Sequence, residues 1–390
     1  MRSVVLDCLR MTQPSADLEF PADAWAHFED IERALAPWQP NSSLPIPDGR
    51  TWQTGTVYGY SGPWIEQVWI AHGKAKWAES ASHAERRRAF GGAIPLFVPW
   101  VDWHLRGRIQ PGSSSKVTRI TYPEGLVSTI TSILRPSVPY VTVSWSDYGI
   151  PGQPLDSMPM ARIPNVLVFS AGGYGHVPIP LLKQPEERLP PVPMAERPNL
   201  VSFVGTLGHA PGKVRERMKK IVETTAARLG ARAPFYWGPK WRDVVSASRT
   251  CLVPRGFGRT AFKVFETIQM GRVPIYVYSD VPWVPYGAVF EEVGFTTNLS
   301  ALPALLEWLH AAPLEELERR ERRGAELVSS HFSYDGTIRQ ITDFLHPTES
   351  ARSDLRCVRL PPSVCDGCHQ ETASSRSTLR SLNVSWWAPW

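Results

Sequence analysis

The sequence predicts an α/β protein made of two Rossmann-like domains that face a cleft. Three observations support this fold class. The chain has 390 residues, which is too long for one compact core and suits two domains of ordinary size. Apolar runs of strand length alternate with runs of helical spacing, as expected for parallel sheets that are covered on both faces. A proline-rich stretch over residues 183–198 divides the chain near its middle.

The N-terminal half carries the first part of this alternation. Residues 1–50 are an extension in which one segment, 24–35, has an amphipathic helical pattern. An acceptor-side domain is predicted over residues 51–182, because helical patterns there lead into strand-like blocks. In chain order these are a helix beginning near Trp64, a strand over 93–100, a helix over 126–134, and strands over 138–145 and 165–170.

The C-terminal half alternates more sharply, which is typical of a doubly wound sheet. The segment KQPEERLPPVPMAERP (183–198) has five prolines among charged residues, and this composition favours an extended linker. A nucleotide-binding domain is predicted over 199–346, and the tail over 347–390 is predicted to be disordered. The predicted elements are strands over 199–205, 234–238, 250–254 and 273–279, and helices over 211–229, 259–270, 302–310, 313–330 and 337–345.

The composition narrows the class of function. Against 37 Asp and Glu, 42 Lys and Arg give a formal net charge of +5, with both signs interspersed rather than gathered into long basic runs. This mild bias favours phosphate-bearing or anionic ligands and argues against a nucleic-acid partner. The 16 Trp are suited to stacking on the C–H faces of sugars, although a core position is the better expectation for any single one.

The cysteines and apolar runs indicate neither a disulfide framework nor a membrane anchor. The five Cys are scattered and suggest no set of disulfides. Cys365-Asp-Gly-Cys-His369 matches the short pattern of haem attachment or of half a zinc site, but it lies in a Ser- and Arg-rich tail without a strong second cluster, so coincidence is the preferred explanation. No run reaches the roughly 18 to 20 apolar residues that span a bilayer, and the chain as given is predicted to be soluble.

A glycine-containing loop follows the first strand of the C-terminal domain. In an open parallel sheet, ligands bind beyond the carboxyl ends of the strands, where helix N-termini are exposed. This loop runs from Gly205 to Gly212, and its backbone N–H groups can approach a phosphate. Arg215 stands one turn into the next helix and either reaches a diphosphate or is a solvated surface arginine. The spacing is not GxGxxG, so a nicotinamide cofactor is not indicated.

A second loop, Pro254-Arg-Gly256-Phe-Gly258, follows the strand over 250–254. In the helix after it, apolar residues take one face, while Thr260, Lys263 and Glu266 recur every three residues on the other. A hydroxyl and an ammonium near a helix start suit a diphosphate, and a carboxylate further along can accept both hydroxyls of a ribose. The alternative is an exposed Lys263–Glu266 ion pair of structural value only.

Two long segments that contain these loops, SFVGTLGHAPGKVR (202–215) and SRTCLVPRGFGRTAFKVFETIQMGRVPIYVYSDVPWVPY (248–286), resemble the signature of the exostosin glycosyltransferase family. They share the Phe-x-Gly strand end with a downstream Gly-x-x-Arg, the Cys-Leu-x-Pro-x-Gly turn, and Gly-x-x-Pro-Ile before Ser279-Asp280. Looser matches occur in IPLFVPWVDW, VSWSDYG and NVLVFSAGGYGHVPIPLL. The resemblance covers roughly residues 60–345.

This resemblance implies a glycosyltransferase-B architecture and transfer of a sugar from a nucleotide diphosphate donor to a glycan acceptor, with anomeric inversion and without an essential metal. Carried over to this chain, Arg215 and Thr260 contact the diphosphate beside Gly205 and Gly256, and Glu266 contacts the ribose. Lys263 stands where the family usually has Arg, which keeps the charge and loses the bidentate fork. The resemblance also implies a Golgi location, with a soluble form as the alternative because no anchor is seen, and homo- or hetero-oligomers with related transferases.

The catalytic base in this architecture comes from the N-terminal domain, since inversion by direct displacement needs a base on the acceptor hydroxyl. Asp147, after the strand over 138–145, is the candidate. Asp102 and His104 are its rivals, and a loop-capping or surface role is the alternative for each. The family's Asp-His-aromatic triplet just upstream is replaced here by Tyr140-Val-Thr.

Two other classes of function stay open at this point. A catalytically degenerate relative that binds glycans or serves as a scaffold is suggested by the missing triplet and by Lys263. A nucleic-acid binder would show association that weakens steeply with salt, and the interspersed charges disfavour it.

Overall fold

The structure is a computed structural model that describes residues 4–12, 17–39, 56–57, 60–101, 122, 124–150, 158, 162–208, 210–348 and 350–358. Helices and parallel strands alternate through these residues, which confirms the α/β class. Within this part of the chain, no helix has the length and apolar character needed to cross a membrane. The predictions for Asp102, His104, Cys365 and Cys368 fall outside the described residues.

The N-terminal half is built around a parallel sheet with strand order β3-β4-β5-β6. Tyr140 of β4 pairs with Val166 of β5, and all residues of both strands are buried, as expected for the centre of a parallel sheet. The strands of this half are β1 Thr56–Val57, β2 Tyr60–Ser61, β3 Ile94–Pro95, β4 Tyr140–Ser144, β5 Val166–Ser170 and β6 Val177–Pro178. Its helices are α1 Val4–Thr12, α2 Ala24–Leu35, α3 Ile65–Glu79, α4 His83–Ala89 and α5 Glu124–Ile133.

The C-terminal half is built around a second parallel sheet, with strand order β11-β10-β9-β7-β8. This is the order of a doubly wound sheet, and it changes direction between β7 and β9. The strands are β7 Asn199–Val204, β8 Phe235–Tyr236, β9 Ser248–Pro254, β10 Val273–Tyr278 and β11 Phe295–Asn298. The helices are α6 Val214–Leu229, α7 Trp241–Ser246, α8 Phe262–Gln269, α9 Gly287–Val293, α10 Leu302–Ala311, α11 Leu314–His331 and α12 Tyr334–Leu345.

Local sequence explains where several of these helices begin and end. Ser82 accepts a hydrogen bond from the Glu85 N–H, and the Glu85 carboxylate accepts one from the Ser82 N–H, so a capping box starts α4. Ser333 caps α12 by accepting from the Gly336 N–H. Helix α6 ends at Gly230, whose φ of 64° lies in the left-handed region that glycine adopts without strain.

Two sequence predictions about local structure were wrong, and several elements were not predicted. The apolar block over 93–100 contributes only Ile94–Pro95 to the sheet, because these two residues alone pair with β4. The helix predicted from residue 259 begins at Phe262, since the residues before it form an irregular loop that packs between the sheets. The hairpin β1–β2, the helices α1, α4 and α9, and the strands β6 and β11 were not predicted.

The tail prediction was wrong for its first part. Residues 350–358 pack on the protein, with Leu355 almost fully buried and the Val358 N–H donating to the His176 carbonyl at 2.8 Å. Cys357 forms a disulfide with Cys8 of α1, although the sequence suggested no disulfides. The two cysteines are 349 positions apart, so only the folded chain brings their Cα atoms to 5.9 Å.

Candidate functional site

The candidate site lies at the carboxyl edge of the C-terminal sheet, between β7 and β9. Strand order changes direction there, and this is the place where open α/β sheets bind their ligands. The two loops singled out from the sequence border this point, because one follows β7 at Gly205 and the other follows β9 at Arg255. The structure therefore brings the two loops to neighbouring strand ends.

Arg215 joins the two loops. Its Nε donates to the Arg255 carbonyl at 3.1 Å, and its Nη1 donates to the Thr206 carbonyl at 2.9 Å. The other nitrogen, Nη2, lies 3.8 Å from the point that a Cβ on Gly256 would occupy. The Arg215 side chain is half-buried, and backbone carbonyls of both loops hold its guanidinium. A side chain at position 256 would narrow the space beside this charge.

Both glycines of the predicted site use their backbone N–H groups within the protein. The Gly205 N–H donates to the Tyr236 carbonyl, and its φ of 147° explains the need for glycine at the strand end. The Gly256 N–H donates to the Thr260 carbonyl at 3.0 Å, which closes the loop into a compact turn. Thr260 itself is 2% exposed. The loop is thus a preformed structure, and a ligand would meet its outer surface.

Two arginines that the sequence analysis passed over hold this loop. Arg255 and Arg259 are both buried, and both form ion pairs with Asp280, which follows β10. Burial raises the pKa of the Asp280 carboxyl, but the nearby Arg259 and Arg255 charges together lower it more, so its pKa lies below the usual value. Arg215 contacts the same loop through the Arg255 carbonyl.

A sequence signal for these arginines existed. Arg255 and Arg259 follow β9, and Ser279-Asp280 follows the adjacent strand β10. Because the carboxyl ends of neighbouring parallel strands meet at one edge, opposite charges at those ends are expected to pair. Arg255 Nη1 donates to Ser279 Oγ at 2.7 Å and to Asp280 Oδ1 at 3.0 Å.

The same loop packs against the N-terminal sheet. Asp147, the candidate base, accepts a hydrogen bond from the Gly258 N–H at 3.3 Å. A Cβ on Gly258 would lie 2.3 Å from the Gly172 carbonyl oxygen, so no other residue fits there without movement. Arg259 adds two bonds to this side, from its N–H to the Gly172 carbonyl at 2.8 Å and from Nη1 to the Gly173 carbonyl at 2.6 Å. Asp147 and the loop 255–260 are therefore neighbours at the junction of the two halves.

A buried carboxylate in the N-terminal half orders the residues before Asp147. Glu66, in the first turn of α3, is fully buried, and its two oxygens accept from the Val101 and Trp145 N–H groups at 3.1 and 3.2 Å. The Trp145 ring stacks on Trp64 at a centroid distance of 4.3 Å. The sequence analysis did not identify Glu66, because a single acid in a helical pattern carries no signal that it will be buried.

Lys263 and Glu266 occupy a different environment from the one predicted. Glu266 is 3% exposed, whereas the sequence pattern placed it on an open polar face. Lys263 forms an ion pair with one of its oxygens, and Lys183 Nζ lies 3.3 Å from the other. The Lys263 ammonium lies over the Trp241 ring, 4.1 Å from the centroid. The expectation of an exposed stripe was wrong, because linker residues and α7 cover this face of α8.

The pairing is reflected in the charge state of Lys183. Burial lowers the pKa of its ammonium group, but Glu266 and Glu186 together raise it more, so its pKa lies above the usual value. The ammonium is charged at neutral pH and holds the Glu266 carboxylate in place. Within the described residues, no group of three or more His, Cys, Asp or Glu side chains is arranged to hold a metal ion.

Comparisons with known proteins leave the family of this chain open. No protein-family model matches the sequence. No curated protein matches it either. Among solved structures, the chain is similar to "Crystal Structure of TarM" with a TM-score of 0.35 and 5% sequence identity, over 61% of this chain. The matched part spans about half of the TarM chain, 48%. A similarity of this size does not establish a shared fold or activity.

Proposed function

We propose that this protein is a glycosyltransferase that takes a sugar from a nucleotide diphosphate donor held at the switch point between β7 and β9. The observation that carries the proposal is Arg215, which stands at that point and joins the loops after both strands. A guanidinium at the carboxyl edge of a doubly wound sheet is suited to a diphosphate, because it offers several charged donors in a fixed plane.

The arginines at this edge support an anionic ligand. Arg215, Arg255 and Arg259 lie on or beside the loop 255–260, and Asp280 is the carboxylate that its two buried arginines share. A diphosphate would place its negative charge beside these guanidinium groups. The positive charge of the arginines would also stabilise the departing nucleoside diphosphate in the transition state. The acceptor is proposed to be a glycan, bound from the N-terminal side.

The role of Asp147 as the base stays a proposal. Its position at the junction of the two halves suits a group that acts between an acceptor on one side and a donor on the other. One carboxylate oxygen accepts from the Gly258 N–H, and this bond orients the group. In a transfer reaction, the carboxylate would take the proton of the acceptor hydroxyl as the sugar–oxygen bond forms and the nucleoside diphosphate leaves.

A catalytically degenerate glycan-binding or scaffold protein is the second candidate. Two observations favour it: Glu266 is buried by Lys183 and Lys263 rather than open to a ribose, and Asp147 already contacts the loop. A ribose at Glu266 would require the lysine of the linker to move. The two candidates differ in turnover and agree on an anion-binding edge.

A two-step experiment separates these candidates. A panel of nucleotide diphosphate sugars is first screened for a rise in melting temperature, because a ligand that binds only the folded state stabilises it. The stabilising donor is then incubated with the protein, with and without oligosaccharide acceptors, and release of nucleoside diphosphate is measured. Release or transfer supports the glycosyltransferase, binding without release supports the degenerate protein, and a panel without any stabilising member contradicts the donor site.

A further inference from the structure

Two large aromatic side chains are exposed at the carboxyl edge of the C-terminal sheet. Trp237, directly after β8, is 76% exposed, and Phe257, in the loop after β9, is 46% exposed. Four large hydrophobic side chains are exposed in the described part of the chain, and two of them are these. Because β7 lies between β8 and β9, the two residues stand at the strand ends on either side of the loop that follows β7.

Strand alternation places Trp237 on the same face of the sheet as Arg215. Phe235 of β8 pairs with Phe203 of β7, and the centroids of their rings are 5.6 Å apart. Arg215 of α6 lies over the Phe203 ring, 5.9 Å from its centroid. Lys219, one turn further along α6, lies 6.0 Å from the centroid of the Phe235 ring. Since side chains of a strand alternate between faces, position 237 returns to the face of position 235, which α6 covers.

The residues on either side of Trp237 support this alternation. A Cβ on Gly238 would lie 2.8 Å from Tyr236 Oη, so positions 236 and 238 face the same way. Trp237, between them, therefore faces the opposite way, toward the α6 side of the sheet. Tyr236 Oη also accepts from the Lys240 N–H at 3.3 Å, which orders the turn that carries the indole.

The position opposite Trp237 is a glycine. Val204 pairs with Tyr236, which puts Gly205 opposite Trp237, one strand spacing of about 4.8 Å away. The Gly205 N–H donates to the Tyr236 carbonyl at 3.0 Å and keeps the two segments in register at this point. Gly208, further along the loop, is open, since a Cβ there would meet no atom within 4 Å. The loop after β7 thus supplies no side chain at these two positions to cover the indole.

Arg215 stands at the other side of the same loop. Its Nη1 donates to the Thr206 carbonyl at 2.9 Å, and Thr206 directly follows the glycine that lies opposite Trp237. The guanidinium suits an anionic group, and the exposed indole suits a flat ring. A ligand that uses both groups needs a charged end and a planar end, and a nucleoside diphosphate has both, joined through its ribose.

We propose that Trp237 is the stacking surface for the base of the nucleoside diphosphate, with Arg215 on its phosphates. This inference rests on the proposed donor site and adds the residue that holds the base. Every base has a π face, so stacking on the indole adds affinity without selecting one base. Phe257 is the less suitable ring, because its loop packs against the N-terminal sheet, on the side proposed for the acceptor.

The test is titration calorimetry of the full chain with uridine, guanosine and adenosine diphosphates, and with inorganic pyrophosphate as the probe that has no base. Trp237→Ala should weaken binding of the tightest nucleoside diphosphate about 10-fold and leave the affinity for pyrophosphate unchanged. Trp237→Phe should keep most of the affinity, because a phenyl ring still stacks. The matched control is Trp308→Ala, since this indole is 45% exposed but packs on Phe295 of the edge strand β11. Trp237 is 76% exposed, so its removal takes little packing from the core and the variant should fold.

Four results would overturn the proposal. Native affinity in Trp237→Ala with weakened binding in Arg215→Gln would keep the donor site and remove the stacking role. Loss of the base-dependent affinity in Phe257→Ala instead would place the base at the end of β9. An equal loss for pyrophosphate and for the nucleoside diphosphate in Trp237→Ala would show that the indole does not act on the base. If none of the three nucleoside diphosphates binds the native chain, the donor site fails together with this inference.

Discussion

Replacing Glu266 by Ala tests whether this residue is a buried structural acid. Its side chain is 3% exposed and is paired with Lys263 and with Lys183, which is 11% exposed. Removing one partner of a buried ion pair costs about 3 to 5 kcal/mol, because the other charge stays buried and uncompensated. Two features reduce this cost: Lys263 is 25% exposed and can turn toward water, and Lys183 keeps Glu186 at 2.7 Å. We expect a loss of about 2 to 3 kcal/mol.

The assay is urea unfolding at pH 7, with the free energy obtained by linear extrapolation. Glu326→Ala is the matched control, because that acid is 64% exposed and its i,i+3 pair with Arg323 is worth less than about 0.5 kcal/mol. The double variant Glu266→Leu/Lys183→Met should recover most of the stability that Glu266→Ala loses, because apolar groups then replace the buried ion pair. If Glu266→Ala were as stable as the control, Glu266 would not be a buried partner in an ion pair. The exposed polar face that the sequence predicted would then be correct.

Three further outcomes are expected. His176 accepts from the Val168 N–H at 3.0 Å, and burial lowers its pKa to about 4, so stability that is complete above pH 6.5 should fall by about 3 kcal/mol toward pH 4. His176→Gln should remove most of this loss of stability at low pH, measured by urea unfolding at a series of pH values. An unchanged pH dependence would contradict the role of His176. Asp280→Asn should cost about 1 to 2 kcal/mol, because its carboxylate is a third exposed yet serves two buried arginines, and hydrogen exchange should quicken in the loop 255–260. Gly258→Ala should speed proteolysis between the two halves, because its Cβ would meet the Gly172 carbonyl oxygen at 2.3 Å. Gly208→Ala is the control, since no atom lies within 4 Å of its Cβ, and it should leave the rate unchanged. Equal rates in the two variants would contradict a tight junction at Gly258.

Local patterns were sufficient to predict the C-terminal sheet. The runs that became β7, β9 and β10 are mostly apolar, as buried parallel strands are, and helical patterns separate them. That alternation predicts a parallel sheet with its loops at the carboxyl edge, where Arg215 was expected, whereas the strand order and its switch point between β7 and β9 come from the structure. The strand predicted over 93–100 was too long, because an apolar run does not show how many of its residues will pair with a neighbouring strand.

Contacts between distant segments could not be read from the sequence. The amphipathic spacing of α8 correctly separates a packed face from a polar one, but the burial of Glu266 depends on Lys183, 83 positions earlier in the linker. The disulfide between Cys8 and Cys357 depends likewise on how the two ends of the chain meet. The ion pairs of Asp280 with Arg255 and Arg259 could have been predicted from the sequence, because they join the ends of adjacent parallel strands.

The most direct test of the donor site is the dissociation constant of the best nucleoside diphosphate, measured by calorimetry for the native chain, Arg215→Gln and Arg217→Gln. Arg217 is exposed on the same helix and serves as the control. Because a charged hydrogen bond contributes about 1.5 to 3 kcal/mol, Arg215→Gln should weaken binding about 10- to 100-fold while Arg217→Gln leaves it unchanged. Equal affinity in all three proteins, with their folds intact, would contradict a donor held between β7 and β9.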